Sequence, residues 1–187
     1  MKQLLWTIQH EAAWEVFVKT GVLVANEDYL FCQDDLRFAY DWISLQMIQK
    51  IGAPPDGVHC PVWAWCQWEG KRKQQDLRRS GYAKRGTPMV QITFEAEETE
   101  FLLSDFDSWH CVLNDGYLAL SEAELDNFYN QFPQPTRNEV EPSWQRIFDL
   151  THYEPNWDCP PDQKSIQAIL WQIKIEQVKK VEHFFAK

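Results

Sequence analysis

From Val58 to Glu69 the sequence alternates with a period of two. Val62, Ala64, Cys66 and Trp68 fall on one side; Pro61, Trp63, Trp65 and Gln67 fall on the other. Successive side chains of a strand point to opposite faces, whereas a helix repeats every 3.6 residues. The segment therefore predicts a strand with two unlike faces, one of them aromatic. Such a strand needs sheet partners and something to cover its rings.

Partners and covers are both present. Leu4 to Ile8 reads as a short first strand, with Thr7 facing away from Trp6 and Ile8. His10 to Thr20 carries Ala13, Trp14, Phe17 and Val18 at helical spacing and stops at Gly21, after which Val22 to Ala25 is extended again. Asp34 and Asp35 are expected to cap a helix that ends at Ile51, before Gly52-Ala53-Pro54-Pro55. Its apolar residues run most of the way round (Ala39, Tyr40, Ile43 and Met47, but also Phe38, Trp42, Leu45 and Ile48), so burial on more than one side is expected. Met89 to Ala96 and Phe101 to Asp105 read as strands, joined by an acidic connection, and Ser108 to Leu113 as a helical turn.

Ser121 and Glu124 fit a capping box for a helix to about Phe132. Pro133, Pro135 and Pro142 mark a linker, Ser143 is expected to cap a short helix to Leu150, and 151–163 reads as loop. The last segment fits both periods. Ile166, Ile169, Leu170, Ile173, Gln177 and Val181 suit a helix, while Ile169, Trp171, Ile173 and Ile175 alternate as in a strand. Together these elements predict a single α+β domain over residues 1–187, a mixed or antiparallel sheet with helices around it.

Composition narrows the function classes. Lys and Arg total 18 against 28 Asp and Glu, a net charge of −10, which argues against wrapping duplex nucleic acid or coating an anionic membrane. No apolar run is long enough to span a bilayer, the N-terminal run is too short for a signal peptide, and the five cysteines form an odd, unpaired set. A cytoplasmic protein with reduced thiols and no membrane attachment is expected.

Three clusters carry candidate chemistry. Trp63, Trp65 and Trp68 offer flat surfaces on which a base or nicotinamide ring could stack; equally, such rings fill cores. Residues 71–86 hold Lys71, Arg72, Lys73, Arg78, Arg79, Lys84 and Arg85 against the single acid Asp76, with Gly81 and Gly86 easing backbone approach to phosphates. A charge run is more often only a solvated loop. Asp105, Asp107 and His110 stand at the end of a strand, where acid–base groups gather, yet an acid there also caps the following helix. His59, Cys60, Cys66, His110 and Cys111 lack the paired spacing of a zinc site, so no metal is assigned. A glycine-rich nucleotide loop is also missing.

Two resemblances sharpen this. Leu5-Trp6-Thr7-Ile8-Gln9, Ala39-Tyr40-Asp41-Trp42, the run Pro61 to Gly70, Gly81 to Gly86, Leu103 to His110 and Ile166-Gln167-Ala168 together resemble an uncharacterised bacterial family of domains of unknown function, along nearly the whole chain. Over about a quarter of the chain, Leu4 to Ala25, Gln167 to Trp171 and Val178 to Val181 are similar to ADP-ribosyltransferase domains. That resemblance tilts the C-terminal segment towards strands. It implies NAD as cofactor, Thr7 and Gln9 on the nicotinamide side, and Gln167 at the catalytic position. Thr7 stands where that fold carries His or Arg, and Gln167 where it carries Glu; a Gln can hydrogen-bond ribose but lends no negative charge to a cationic transition state.

The expected function is thus an ADP-ribosyltransferase-like domain binding NAD or a related nucleotide in a Trp-lined cleft, with ADP-ribose transferred to protein or nucleic acid if it is an enzyme. Trp63, Trp65, Gln67, Arg72 and Arg78 would hold the cofactor beside Thr7 and Gln9; Gln167, Asp105, Asp107 and His110 are the catalytic candidates. The alternative is a non-enzymatic module that binds nucleic acid or a protein partner through the Trp-rich strand and the basic loop.

Overall fold

The computed structural model describes residues 1–26 and 36–187. The expected caps Asp34 and Asp35, like Cys32, lie outside the described residues. In chain order the elements are β1 (Lys2–His10), α1 (Glu11–Thr20), β2 (Val22–Leu23), α2 (Arg37–Ile51), β3 (Val62–Gln67), β4 (Pro88–Glu97) and β5 (Phe101–Asp105). Then follow α3 (Phe106–Leu113), α4 (Glu122–Gln131), α5 (Arg137–Val140), a 3-10 turn over Glu141–Phe148, β6 (Ile166–Leu170), β7 (Ile173–Lys174) and β8 (Val178–Phe185). The protein is α+β. Its six-stranded antiparallel sheet runs in the order β5-β6-β3-β1-β4-β8, and β2 pairs with β7 in a second, two-stranded sheet.

The C-terminal segment, which fits either period, is strand. Its β-branched residues suit a pleated, buried surface, and pairing decides what local pattern leaves even: β8 lies antiparallel to β4 from Pro88↔Phe185 to Phe94↔Val178. The register shifts between Thr93, opposite Lys180, and Phe94, opposite Val178, leaving Lys179 between them.

Contacts divide the chain into two compact units. The first comprises Met1–Cys66, Lys73–Leu102 and Ala168–Lys187; the second comprises Gln67–Arg72 and Leu103–Gln167. In the first unit β4 is buried on both faces between β1 and β8. α1 ends at Gly21, whose φ of 78° suits a residue without a Cβ and lets its N–H reach the Phe17 carbonyl at 2.8 Å. α2 departs from expectation. Ala39, Trp42, Ile43, Gln46 and Met47 are buried, but Leu45 and Ile48 are 55% and 43% exposed. The ring of apolar residues thus covers one buried face, and the outer stripe keeps two aliphatic residues.

The second unit is assembled by caps and one aromatic stack. Ser121 accepts the Glu124 N–H at the start of α4. Tyr117 stacks on Phe128 with centroids 3.7 Å apart, and Arg146 pairs with Glu124 at 2.8 Å. The proline-marked stretch contains α5, held by a capping box between Thr136 and Glu139. Ser143 does not cap a helix. It sits within the 3-10 turn, where its hydroxyl donates to the Val140 carbonyl and accepts the Leu118 N–H. The buried Trp144 beside it donates to the Gly116 carbonyl at 2.8 Å.

Candidate nucleic-acid interface

One face of the large sheet, within the first unit, gathers the aromatic and basic features singled out above. Residues opposite each other in antiparallel strands share a face. Trp6 is opposite Trp65 of β3 and Thr93 of β4, and Thr93 is opposite Lys180. Two residues along, Ile8 is opposite Gln91, and Gln91 is opposite Glu182. Strand alternation puts Trp63 on this face too. It thus carries partly exposed Trp rings on β3 and a polar strip on β4 and β8. Val62, Ala64 and Cys66 point the other way and are buried, as the alternation predicts.

Two segments meet this face. Tyr40 of α2 lies edge-on to Trp63, with ring centroids 6.3 Å apart. Residues 73–86, which form neither helix nor strand, come down beyond it. Gln75 is 1% exposed and accepts from Gln91 Nε2 at 3.4 Å, and Tyr82 lies edge-on to Phe184. The loop closes by paired backbone bonds: Gly86 N–H to the Ala186 carbonyl, and Ala186 N–H to the Thr87 carbonyl. With these anchors in place, Lys73, Arg78, Arg79, Lys84 and Arg85 are all exposed. Arg78 grips Asp76 through two side-chain bonds of 2.9 and 2.8 Å, and this holds the Asp76 carboxyl far below the usual carboxylate range. Arg78 therefore spends part of its charge inside the loop.

At the far end of the same face, a depression of about 240 Å³ is lined by four glutamates, among them Glu95 and Glu97, and three lysines. Lys179 pairs with Glu95 at 3.0 Å and Gln177 bonds Glu100, so its charges are largely matched internally.

The other candidates are placed elsewhere. Thr7 and Gln9 project from the opposite face of β1. The Thr7 hydroxyl donates to the Trp63 carbonyl at 2.8 Å and accepts from Gln9 Nε2, so the structure does not bring this pair to the Trp-lined side. Gln67, Arg72, Asp105, Asp107, His110 and Gln167 belong to the second unit. There Gln67 Nε2 donates to the Lys164 carbonyl at 2.9 Å. Asp105 caps α3 by accepting the Ser108 N–H, and its other oxygen lies 3.4 Å from Nζ of Lys164, a residue only 4% exposed. The capping acid is Asp105, one position ahead of the helix. His110 Nδ1 lies 2.9 Å from the Phe106 carbonyl, which can only accept, so that nitrogen carries the proton. Burial, then the Asp105 charge, pushes the Asp107 carboxyl up; burial also raises the Cys159 thiol, helped by Asp107 and Asp105. Gln167 is buried, and its Oε1 has no hydrogen-bond partner among the described residues. The structure thus collects Asp105, Asp107, His110 and Lys164 in one charged group.

Gln75, Gln91 and Lys164 escape a sequence reading. Gln75 hides in a polar loop, and Lys164 meets its partner only through folding. Gln91 does leave a trace, a lone amide inside the apolar run Met89 to Phe94.

Among the described residues, no group of three or more His, Cys, Asp or Glu side chains could hold a metal ion, and no helix is long and apolar enough to cross a membrane. Comparison with curated proteins and with solved structures returns no match. A family model described as a domain of unknown function, DUF3841, matches residues 4–179, and the chain belongs to that family.

Proposed function

We propose that this protein is a nucleic-acid-binding module that holds single-stranded phosphate backbone on residues 73–86 and stacks a base on the Trp63–Trp65 side of the same sheet face. One observation carries this reading: Gln75, Tyr82 and Gly86 pin the loop while its cations stay exposed, on the face that carries the Trp rings. A loop kept only for solubility has no need of buried anchors. Phosphate contacts supply affinity without sequence demand, and aromatic faces accept any base. An NAD-dependent transferase draws less support, because Thr7 and Gln9 face away from the Trp rings and Thr7 already serves the Trp63 carbonyl.

The test is fluorescence anisotropy with a labelled single-stranded oligonucleotide. With three or four phosphates engaged, binding should weaken about 10- to 100-fold between 50 and 200 mM KCl. Replacing Arg79, Lys84 and Arg85 by Ala should abolish most of that dependence. Salt-independent binding, or none, overturns the reading; saturable tryptophan quenching by NAD in its place would return the transferase to the lead.

A further inference from the structure

We propose that Gln75 and Gln91 form a base-reading floor beneath the basic loop, so that the ligand is a nucleic acid strand with an unpaired base. This rests on the reading above and adds recognition to it. Both side chains are 1% exposed. They touch through one long bond, Gln91 Nε2 to Gln75 Oε1 at 3.4 Å. That leaves Gln75 Nε2, a donor, and Gln91 Oε1, an acceptor, buried without partners among the described residues. Native interiors leave few such atoms, because each has given up water for nothing. A free donor and a free acceptor on two touching carboxamides are the groups that a Gln offers to the edge of a nucleobase, as when Gln meets adenine.

The surroundings fit that use. Gln91 stands in the middle of β4 with Ile8 on one side and Glu182 on the other, and Lys180 pairs with Glu182 at 2.9 Å. Thr93, one step along the face, adds a hydroxyl near Trp6. Gln75 belongs to the loop itself, so lifting residues 73–86 separates the two amides and opens the floor. A base entering there replaces the poor amide pair, while its phosphates meet Arg79, Lys84 and Arg85 above.

The test compares three single-stranded probes of equal length: oligo-dA, oligo-dT and an abasic strand with the same phosphates. The native protein is expected to bind oligo-dA at least about 10-fold tighter than oligo-dT, and both tighter than the abasic strand. Gln91→Leu should erase the preference for oligo-dA over oligo-dT, which stacking on the Trp rings does not supply, while binding stays salt-dependent. Gln75→Glu, which keeps the oxygen that accepts from Gln91 and removes the free donor, gives the same loss of base preference if Gln91→Leu fails to fold. Equal affinity of the native protein for oligo-dA and oligo-dT overturns the inference and leaves backbone binding and stacking standing. Loss of abasic binding in both folded variants assigns the amides a purely structural role and also overturns it. No salt-dependent binding to any strand removes both readings together.

Discussion

Lys164 and Asp105 show how much a single buried charge can demand. The ammonium is almost fully enclosed, and its partner carboxylate also caps α3. Removing one member of such a pair strands the other in a poorly solvating interior, at a cost of about 3–5 kcal/mol. Lys164→Ala should therefore destabilise by that amount in urea unfolding. Lys164→Met fills the space without restoring the charge, so it should recover only part of the loss. If both variants melt like the native chain, Asp105 is already satisfied by Ser108 and the pair is ornamental. Asp107, two residues on, carries a second test. Partial desolvation and the neighbouring Asp105 raise its folded carboxyl above the unfolded one, an effect kept small because the residue remains exposed to water. The stability it confers is complete below the unfolded carboxylate range and is lost as pH rises through the raised folded value. Asp107→Asn, which never ionises, should melt higher than the native chain at pH 7, and the gap should close below about pH 4. A lower melting point at pH 7 would mean that the charge at the start of α3, beside His110, is worth more than burial takes away.

At the scale of elements, the sequence signals that proved reliable were local. The strand, helix, Gly, strand unit at the N-terminus, the alternation in β3 and the Ser121 cap each depend on neighbours within a few residues. Signals that need distant partners were weaker. The apolar run around α2 says nothing of which side meets solvent, and Leu45 and Ile48 face it. The C-terminal segment had to wait for β4 to become β8. The acid that caps α3 is Asp105, the last residue of β5, which accepts the Ser108 N–H. The candidate site divides the same way: its Trp rings and cations were visible as runs, whereas Gln75 meets Gln91 only once the loop is folded back. Gly70 ties a local signal to a distant contact. Its φ is +72°, and a Cβ there would fall 2.2 Å from the Asp162 carbonyl oxygen. The backbone cannot step aside, because the Gly70 N–H is bonded to the Lys164 carbonyl. Gly70→Ala should destabilise by about 2–4 kcal/mol in denaturant unfolding. An unchanged midpoint would show that residues 160–164 yield freely.

For the whole molecule, a net charge of −10 is an average that hides an arrangement. Seven of the 18 basic residues sit between 71 and 86, and Glu95, Glu97 and their neighbours mark the opposite end of the face that loop meets. On the proposed function, a polyanion meeting this face would find its cations gathered at one end, so the acidic surplus would act as a positional filter rather than a veto. The register shift in β8 governs a different encounter, that between copies of the chain. β8 ends the strand order, and an edge strand is a template for further strands. Here the ladder is kinked where Lys179 is left over beside Lys180. A second β8 laid against it would meet broken spacing at Lys179, so this edge is a poor template for adding strands.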